Sequence, residues 1–254
     1  HTFTNCGQTG RDGPSLATCK SSYSPSWTDD TDYFNVTGDY NGIQMWTVPA
    51  TGTYRIDAYG AQGASGDGSY VGGKGARMRG DFALTQGEII RIAVGQKGLG
   101  QSSGRNGGGG GASWVIQSPY TDTTAILVIA GGGSGTRTQV SQNGTDAVTG
   151  LDARIGSGSS MTNSGALLST AYRGQGPPIS ANSWGSSGGG FTSDGAADYG
   201  DGGGNGWNND LEGGYYNSHS YDGGFGGGGS GQGRYGGGGG GGYSGGQGGR
   251  VAGG

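Results

Sequence analysis

Six prolines, two cysteines and two histidines in 254 residues exclude several architectures at once. Collagen needs proline and a glycine at every third position; the glycine runs here are longer and keep no strict period. Two histidines and two cysteines are too few for a conventional zinc site, because no further Cys or His lies near Cys6 and Cys19. Charged residues make up only 13% of the chain and the formal net charge is −4, with Lys and Arg scattered rather than clustered. That leaves no electrostatic footprint for nucleic acid. No apolar run reaches the roughly 20 residues of a membrane-spanning helix, and no signal peptide is evident, so membrane insertion is not expected.

What the chain has instead is 68 glycines. They dominate residues 223–254, where Phe225, Arg234, Tyr235 and Tyr243 are nearly the only large side chains. Such a composition ordinarily marks a flexible tail, because it cannot bury enough apolar surface to offset its conformational entropy. Ordering it costs about 1–2 kcal/mol per residue, so backbone hydrogen bonds must supply the stability. Polyproline-II-like helices turn their N–H and C=O groups outward, and several can bond side by side only where no side chain separates them. The expected architecture is a bundle of polyglycine-II helices docked on a domain with a conventional core.

Cys6 and Cys19 are close in sequence with no competing thiol, which reads as a disulfide and hence an oxidising compartment. Two glycosylation sequons, at Asn35 and Asn143, agree with secretion. Short alternating runs bounded by turn residues then suggest strands: residues 43–48 with 54–59 as one hairpin, 76–82 with 88–94 as a second, and 112–117 with 125–130 as a third. No segment carries a convincing helical period, with 165–172 the nearest to one. Regularly spaced strands argue for an all-β sandwich in a single domain over residues 1–254. Residues 1–135 would hold most strands with glycine-rich insertions, 136–185 a polar connection, and 186–254 the glycine bundle.

Cys6-Gly7-Gln8-Thr9-Gly10-Arg11-Asp12-Gly13-Pro14, the block Gly42-Ile43-Gln44-Met45-Trp46-Thr47-Val48-Pro49-Ala50-Thr51-Gly52-Thr53-Tyr54, and Tyr59-Gly60-Ala61-Gln62-Gly63 resemble the glycine-rich domain of the anaplastic lymphoma kinase and leukocyte tyrosine kinase receptors. Val94-Gly95-Gln96-Lys97-Gly98, Ile129-Ala130-Gly131-Gly132-Gly133 and the run from Gly223 to Gly229 extend the resemblance. It implies a tumour-necrosis-factor-like, jelly-roll β-sandwich carrying an inserted bundle of glycine helices. The family has a further strand after its last glycine run, whereas this chain stops at Gly254, so the expectation is that the sandwich either lacks an edge strand or has one supplied by another chain.

No catalytic constellation stands out. Serines lack a His and carboxylate pattern, and a copper site built on His1 and His219 would be the sharpest enzymatic idea, yet nothing else in the sequence supports it. No cofactor or metal is expected, and the chain reads as non-enzymatic. Arg79-Gly80-Asp81 spells an integrin-recognition tripeptide but falls inside an expected strand. The aromatic residues of the distal half, from Trp184 to Tyr243, should fill the joint between bundle and sandwich, with some left for contacts. The function expected first is a secreted structural subunit of a filament, sheath or adhesive coat. Its assembly contacts would involve His1, Thr2, Phe3, Thr4 and Asn5, donated to a neighbour's sheet edge, together with Tyr215, Tyr216 and Tyr221. The alternative is a ligand-binding ectodomain of the receptor kind, with a protein ligand.

Overall fold

The computed structural model describes residues 1–23, 26–36, 42–66, 70–101, 106–137, 143–156, 166–179, 185–198, 202–231, 236–249, 252 and 254. Trp184, Tyr199, Arg234, Tyr235 and Thr37 of the first sequon lie outside these residues.

The first element is a helix that periodicity did not reveal. Ser15 caps α1 (Leu16–Ser22), its hydroxyl accepting from the Thr18 amide at 3.2 Å, and seven residues are too short to display a 3.6-residue pattern. Cys19 in this helix is bonded to Cys6, and the pair packs with Phe34 and Val36 under Phe3, Tyr23 and Trp27. Thr170–Tyr172, inside the stretch with the nearest helical period, forms a single 3-10 turn.

Among the described residues seven strands follow: β1 (Phe34–Val36), β2 (Gln44–Thr47), β3 (Gly52–Tyr59), β4 (Arg77–Leu84), β5 (Ile89–Ala93), β6 (Ser113–Ile116) and β7 (Ile126–Ala130). All pairings are antiparallel, in a five-stranded sheet ordered β1-β2-β5-β6-β7 and a two-stranded sheet β3-β4. The described residues are all-β in their regular structure apart from α1 and isolated turns.

The first two expected hairpins do not form, whereas β6 and β7 do pair. β2 takes β1 and β5 as neighbours, and Val48 continues that ladder, donating to Glu88 and accepting from Gly87. The turn at Pro49 then carries the chain across to the facing sheet, where β3 pairs with β4. Alternation identifies which side chains point inward, but both sheets need the same inward pattern, so it does not identify the neighbour.

Strand β6 is buried on both faces. Val115 faces Trp46, Val48, Leu84, Ile90 and Ile92 inside the sandwich. Trp114 and Ile116 face the other way, into a cluster with Phe191, Trp207, Leu211 and Phe225 contributed by the glycine-rich half. The five-stranded sheet is therefore the middle layer, with β3-β4 on one side and the glycine segments on the other.

In the glycine layer the hydrogen-bond partners recur every third residue. Gly238 and Gly241 donate to Gly107 and Gly110, while Gly239 and Gly242 donate to Ser186 and Gly189. Gly132 and Gly135 donate to Gly241 and Gly238 in the same manner. A β-ladder would return to the same neighbour every second residue. Each segment thus bonds to several neighbours around its axis. A Cβ on Gly111 would overlap the Phe225 carbonyl oxygen, and one on Gly135 the Gly107 carbonyl oxygen, so these approaches exclude any side chain. Gly226 and Gly227, at φ 100° and 87°, turn the chain immediately after buried Phe225.

Candidate functional site

The inner face of the middle sheet is covered in two parts with a gap between them. Over β1 and β2 lies the N-terminal segment. Thr4 accepts from the Tyr23 hydroxyl and from Gln44 Nε2, which lets fully buried Gln44 satisfy its amide, and Phe3 packs edge-on to Trp27 and Trp46 at 6.0 and 6.1 Å. Over β6 and β7 lies the β3-β4 pair. Between them runs a slot of about 510 Å³ whose floor includes Trp46, Ile90, Ile92 and Val115.

One wall of the slot is the six consecutive residues Tyr54 to Tyr59. A strand offering a face would contribute alternate residues only; contributing both sets means that β3 turns its edge to the slot. The ladder agrees. Gly60 donates to Ala76 in register with β3-β4, so the hydrogen-bonded pairs are Ala58 with Met78, Ile56 with Gly80 and Tyr54 with Phe82. The backbone groups of Thr53, Arg55, Asp57 and Tyr59 consequently point away from β4. Of these, the Tyr59 carbonyl accepts from the Ser113 hydroxyl at 2.7 Å, closing one end of the slot. His1 stands at the rim, its ring 4.7 Å from Trp27 and 5.8 Å from Trp46.

The outward face of β3-β4 is a charged ladder. Arg55 binds Asp81 through two hydrogen bonds of 2.8 and 2.9 Å, and Asp57 accepts from both Arg77 and Arg79. The two arginine hydrogen bonds hold the Asp57 carboxyl far below the usual carboxylate range, and Arg55 lowers Asp81 in the same way. Arg77 also lies 5.2 Å from the Tyr59 ring centroid. Three arginines against two aspartates leave this face positive in a chain of negative net charge. Both charged side chains of the Arg79-Gly80-Asp81 tripeptide are taken by cross-strand ion pairs.

The expected contact residues fall into separate groups. His1, Thr2 and Phe3 line the slot, while Thr4 and Asn5 bond within the N-terminal segment and to Tyr23, Gln44 and Gln8. Tyr215, Tyr216 and Tyr221 belong to a loop on the glycine layer. There Arg11 bonds Glu212 at 2.7 Å and lies over Tyr215, and buried Asp222 accepts from the Tyr216 amide and contacts His219 at 2.9 Å. His1 and His219 thus have different neighbours. Among the described residues no group of three His, Cys, Asp or Glu is placed to hold a metal, and no helix is long and apolar enough to cross a membrane. Asn143 is exposed, its side-chain carbonyl accepting from the Val71 amide; Asn35 is half-buried in β1.

The slot itself escaped the sequence reading, because it arises where two non-neighbouring segments stop short of each other.

No known family profile matches the chain. A mouse (Mus musculus) leukocyte tyrosine kinase receptor is 38% identical over 97 residues. The match is local. It covers 38% of this chain and 11% of the receptor, and supports a relation to that receptor family over this part of the chain.

Proposed function

We propose that this chain is an extracellular, non-enzymatic binding module that recognises a protein ligand. The observation that carries this reading is the 97-residue relation to a receptor, in a domain whose N-terminal layer is closed by a disulfide. A bridge between Cys6 and Cys19 suits an oxidising compartment. The scaffold is a jelly-roll sandwich of the tumour-necrosis-factor type, in which β3-β4 is the reduced second sheet. The glycine segments are polyproline-II-type helices, a reading supported by hydrogen-bond partners that recur every third residue. Such a layer is braced by backbone bonds between neighbouring segments, and it holds the middle sheet from behind while the opposite face meets the ligand.

A structural subunit joined through residues 1–5 would first have to withdraw Phe3 from Trp27 and Trp46 and break the Thr4 bonds to Tyr23 and Gln44. That cost favours the binding module.

The test is to immobilise the full chain and measure binding of an array of secreted and cell-surface proteins by surface plasmon resonance, with analytical ultracentrifugation of the chain alone. Saturable binding of an extracellular protein by a monomeric chain is expected. Concentration-dependent polymerisation without any protein ligand would overturn the reading in favour of a filament subunit.

A further inference from the structure

We propose that the slot beside β3 takes one extended peptide segment of the partner protein, added as a third strand to the β3-β4 sheet, with apolar side chains on one face and carboxylates on the other. This rests on the reading of the chain as a protein-binding module and names how that module would bind.

Three features select this occupant. First, Arg55 and Asp57 present backbone N–H and C=O groups to the slot, Thr53 continues the same open edge just past its end, and among the described residues no bond to these groups is made there. An unpaired edge is a template for strand addition. Second, a strand laid along that edge would put alternate side chains over Trp46, Ile90, Ile92 and Val115, core residues from three strands of the middle sheet that are each at most 8% exposed and leave only an apolar floor to the slot. Polar side chains there would lose water with no partner, so these alternate positions must be apolar. Third, the remaining positions would point outward beside Arg55 and Asp57, on the face that holds three arginines and two aspartates. Asp57 is bound by two guanidinium groups and is 25% exposed, whereas Arg55, though paired with Asp81, keeps 66% of its side chain exposed, so with three arginines to two aspartates an added carboxylate beside Arg55 is favoured over an added lysine.

The slot differs in kind from the second groove, of about 370 Å³, along β4 and β7. Residues 147–151 already line that groove, and Tyr243 reaches into it from the glycine layer.

The probe is a fluorescein-labelled, capped octapeptide of alternating glutamate and valine, titrated into the full chain by anisotropy and into the 15N-labelled chain by amide hydrogen exchange. Saturable binding is expected, with exchange slowed at Thr53, Arg55 and Asp57 and unchanged at Tyr54, Ile56 and Ala58, whose amides face β4. A peptide of the same composition with its valines in one block, and one of alternating lysine and valine, should each bind more weakly. Thr53→Pro removes a single amide donor on the open edge, at a position where proline is tolerated, and should weaken binding about fivefold, the loss of one net hydrogen bond, with thermal stability retained. Tyr54→Pro, whose amide faces β4, serves as the control that does unfold the sheet.

Protection at Arg79 or Asp81 instead would place the peptide on the β4 edge and overturn the proposal. So would equal binding of the block peptide, or no binding at all. Self-association with Thr53, Arg55 and Asp57 protected would put a second copy of the chain in the slot and likewise overturn it. A protein ligand held equally by wild type and Thr53→Pro would sink the slot while leaving the binding-module reading intact.

Discussion

The amide of Gly109 donates to the carbonyl of Gly229 at 2.9 Å, and Gly229 in turn donates to Gly239 at 2.8 Å. Three segments, the first of them 120 residues before the second and the third ten residues after it, are thereby bonded in succession, with no side chain between them. A Cβ on Gly109 would overlap the Gly239 carbonyl oxygen. The glycine content is thus a packing requirement of this layer.

Glycine positions should accordingly differ sharply in tolerance. Gly109→Ala forces two backbones apart inside the layer and is expected to cost about 3 kcal/mol, the upper end of ordinary over-packing. Gly150→Ala meets open space without a positive φ, so stability should stay level or rise by up to about 1 kcal/mol. Gly87→Ala also meets open space but holds φ +86°, and should lose about 1 kcal/mol from backbone strain alone. Urea denaturation of the three variants separates contact from conformation.

The joint between the layers offers a second measurement. Trp207 stacks on Trp114 with centroids 5.7 Å apart and donates its indole N–H to the Tyr120 carbonyl at 2.7 Å. Trp207→Ala should cost about 3–5 kcal/mol, as large aromatic truncations in cores do. Trp207→Phe keeps most of the ring contact and loses the hydrogen bond, so a loss nearer 1 kcal/mol is expected. Equal losses for the two would mean that the hydrogen bond dominates.

Reduction of the Cys6–Cys19 bridge, across a sequence separation of 13, should lower stability by about 3 kcal/mol in the chain-entropy model. Trp27 packs on the same cluster, so its fluorescence should report loosening of the N-terminal layer. In the slot, that loosening removes the wall formed by His1 and Phe3, and the octapeptide should bind more weakly after reduction.

Acid should act on the charged ladder. The folded-state carboxyls of Asp57 and Asp81 titrate below their ordinary range, so their contribution to stability is present above the unfolded-state value near 4 and is lost as pH falls through the lower folded-state values. All three ion pairs lie at the surface, so the effect should be small and should shrink in high salt. Thermal melts between pH 5 and pH 2 should show a fall in Tm that is reduced in Asp57→Asn. An unchanged slope in that variant would assign the acid sensitivity to other carboxylates.

Much of the sandwich was legible in the amino-acid order. Residues 54–59 and 76–82 alternate because each strand has one face toward a core, and that local rule places β3 and β4 closely, while the apolar run at 88–94 marks β5, whose sheet is covered on both sides. β1, three residues long, and α1, seven, are too short for any period to rise above the composition around them.

What the order could not specify was partnership. β2 and β3 lie either side of a turn that suits a hairpin, yet they belong to opposite sheets, because Val48 is already held by Gly87 and Glu88. In the same way, glycine runs declare that backbones will approach closely but carry no side chains to say which ones; Gly107 meets Gly135 and Gly238 only through the packed layer. The slot is decided entirely at that level. Thr53, Arg55 and Asp57 have an open edge because the N-terminal segment covers β1 and β2, β4 takes the other side of β3, and no described segment fills the space between, a circumstance of three-dimensional packing that pattern along one strand does not encode.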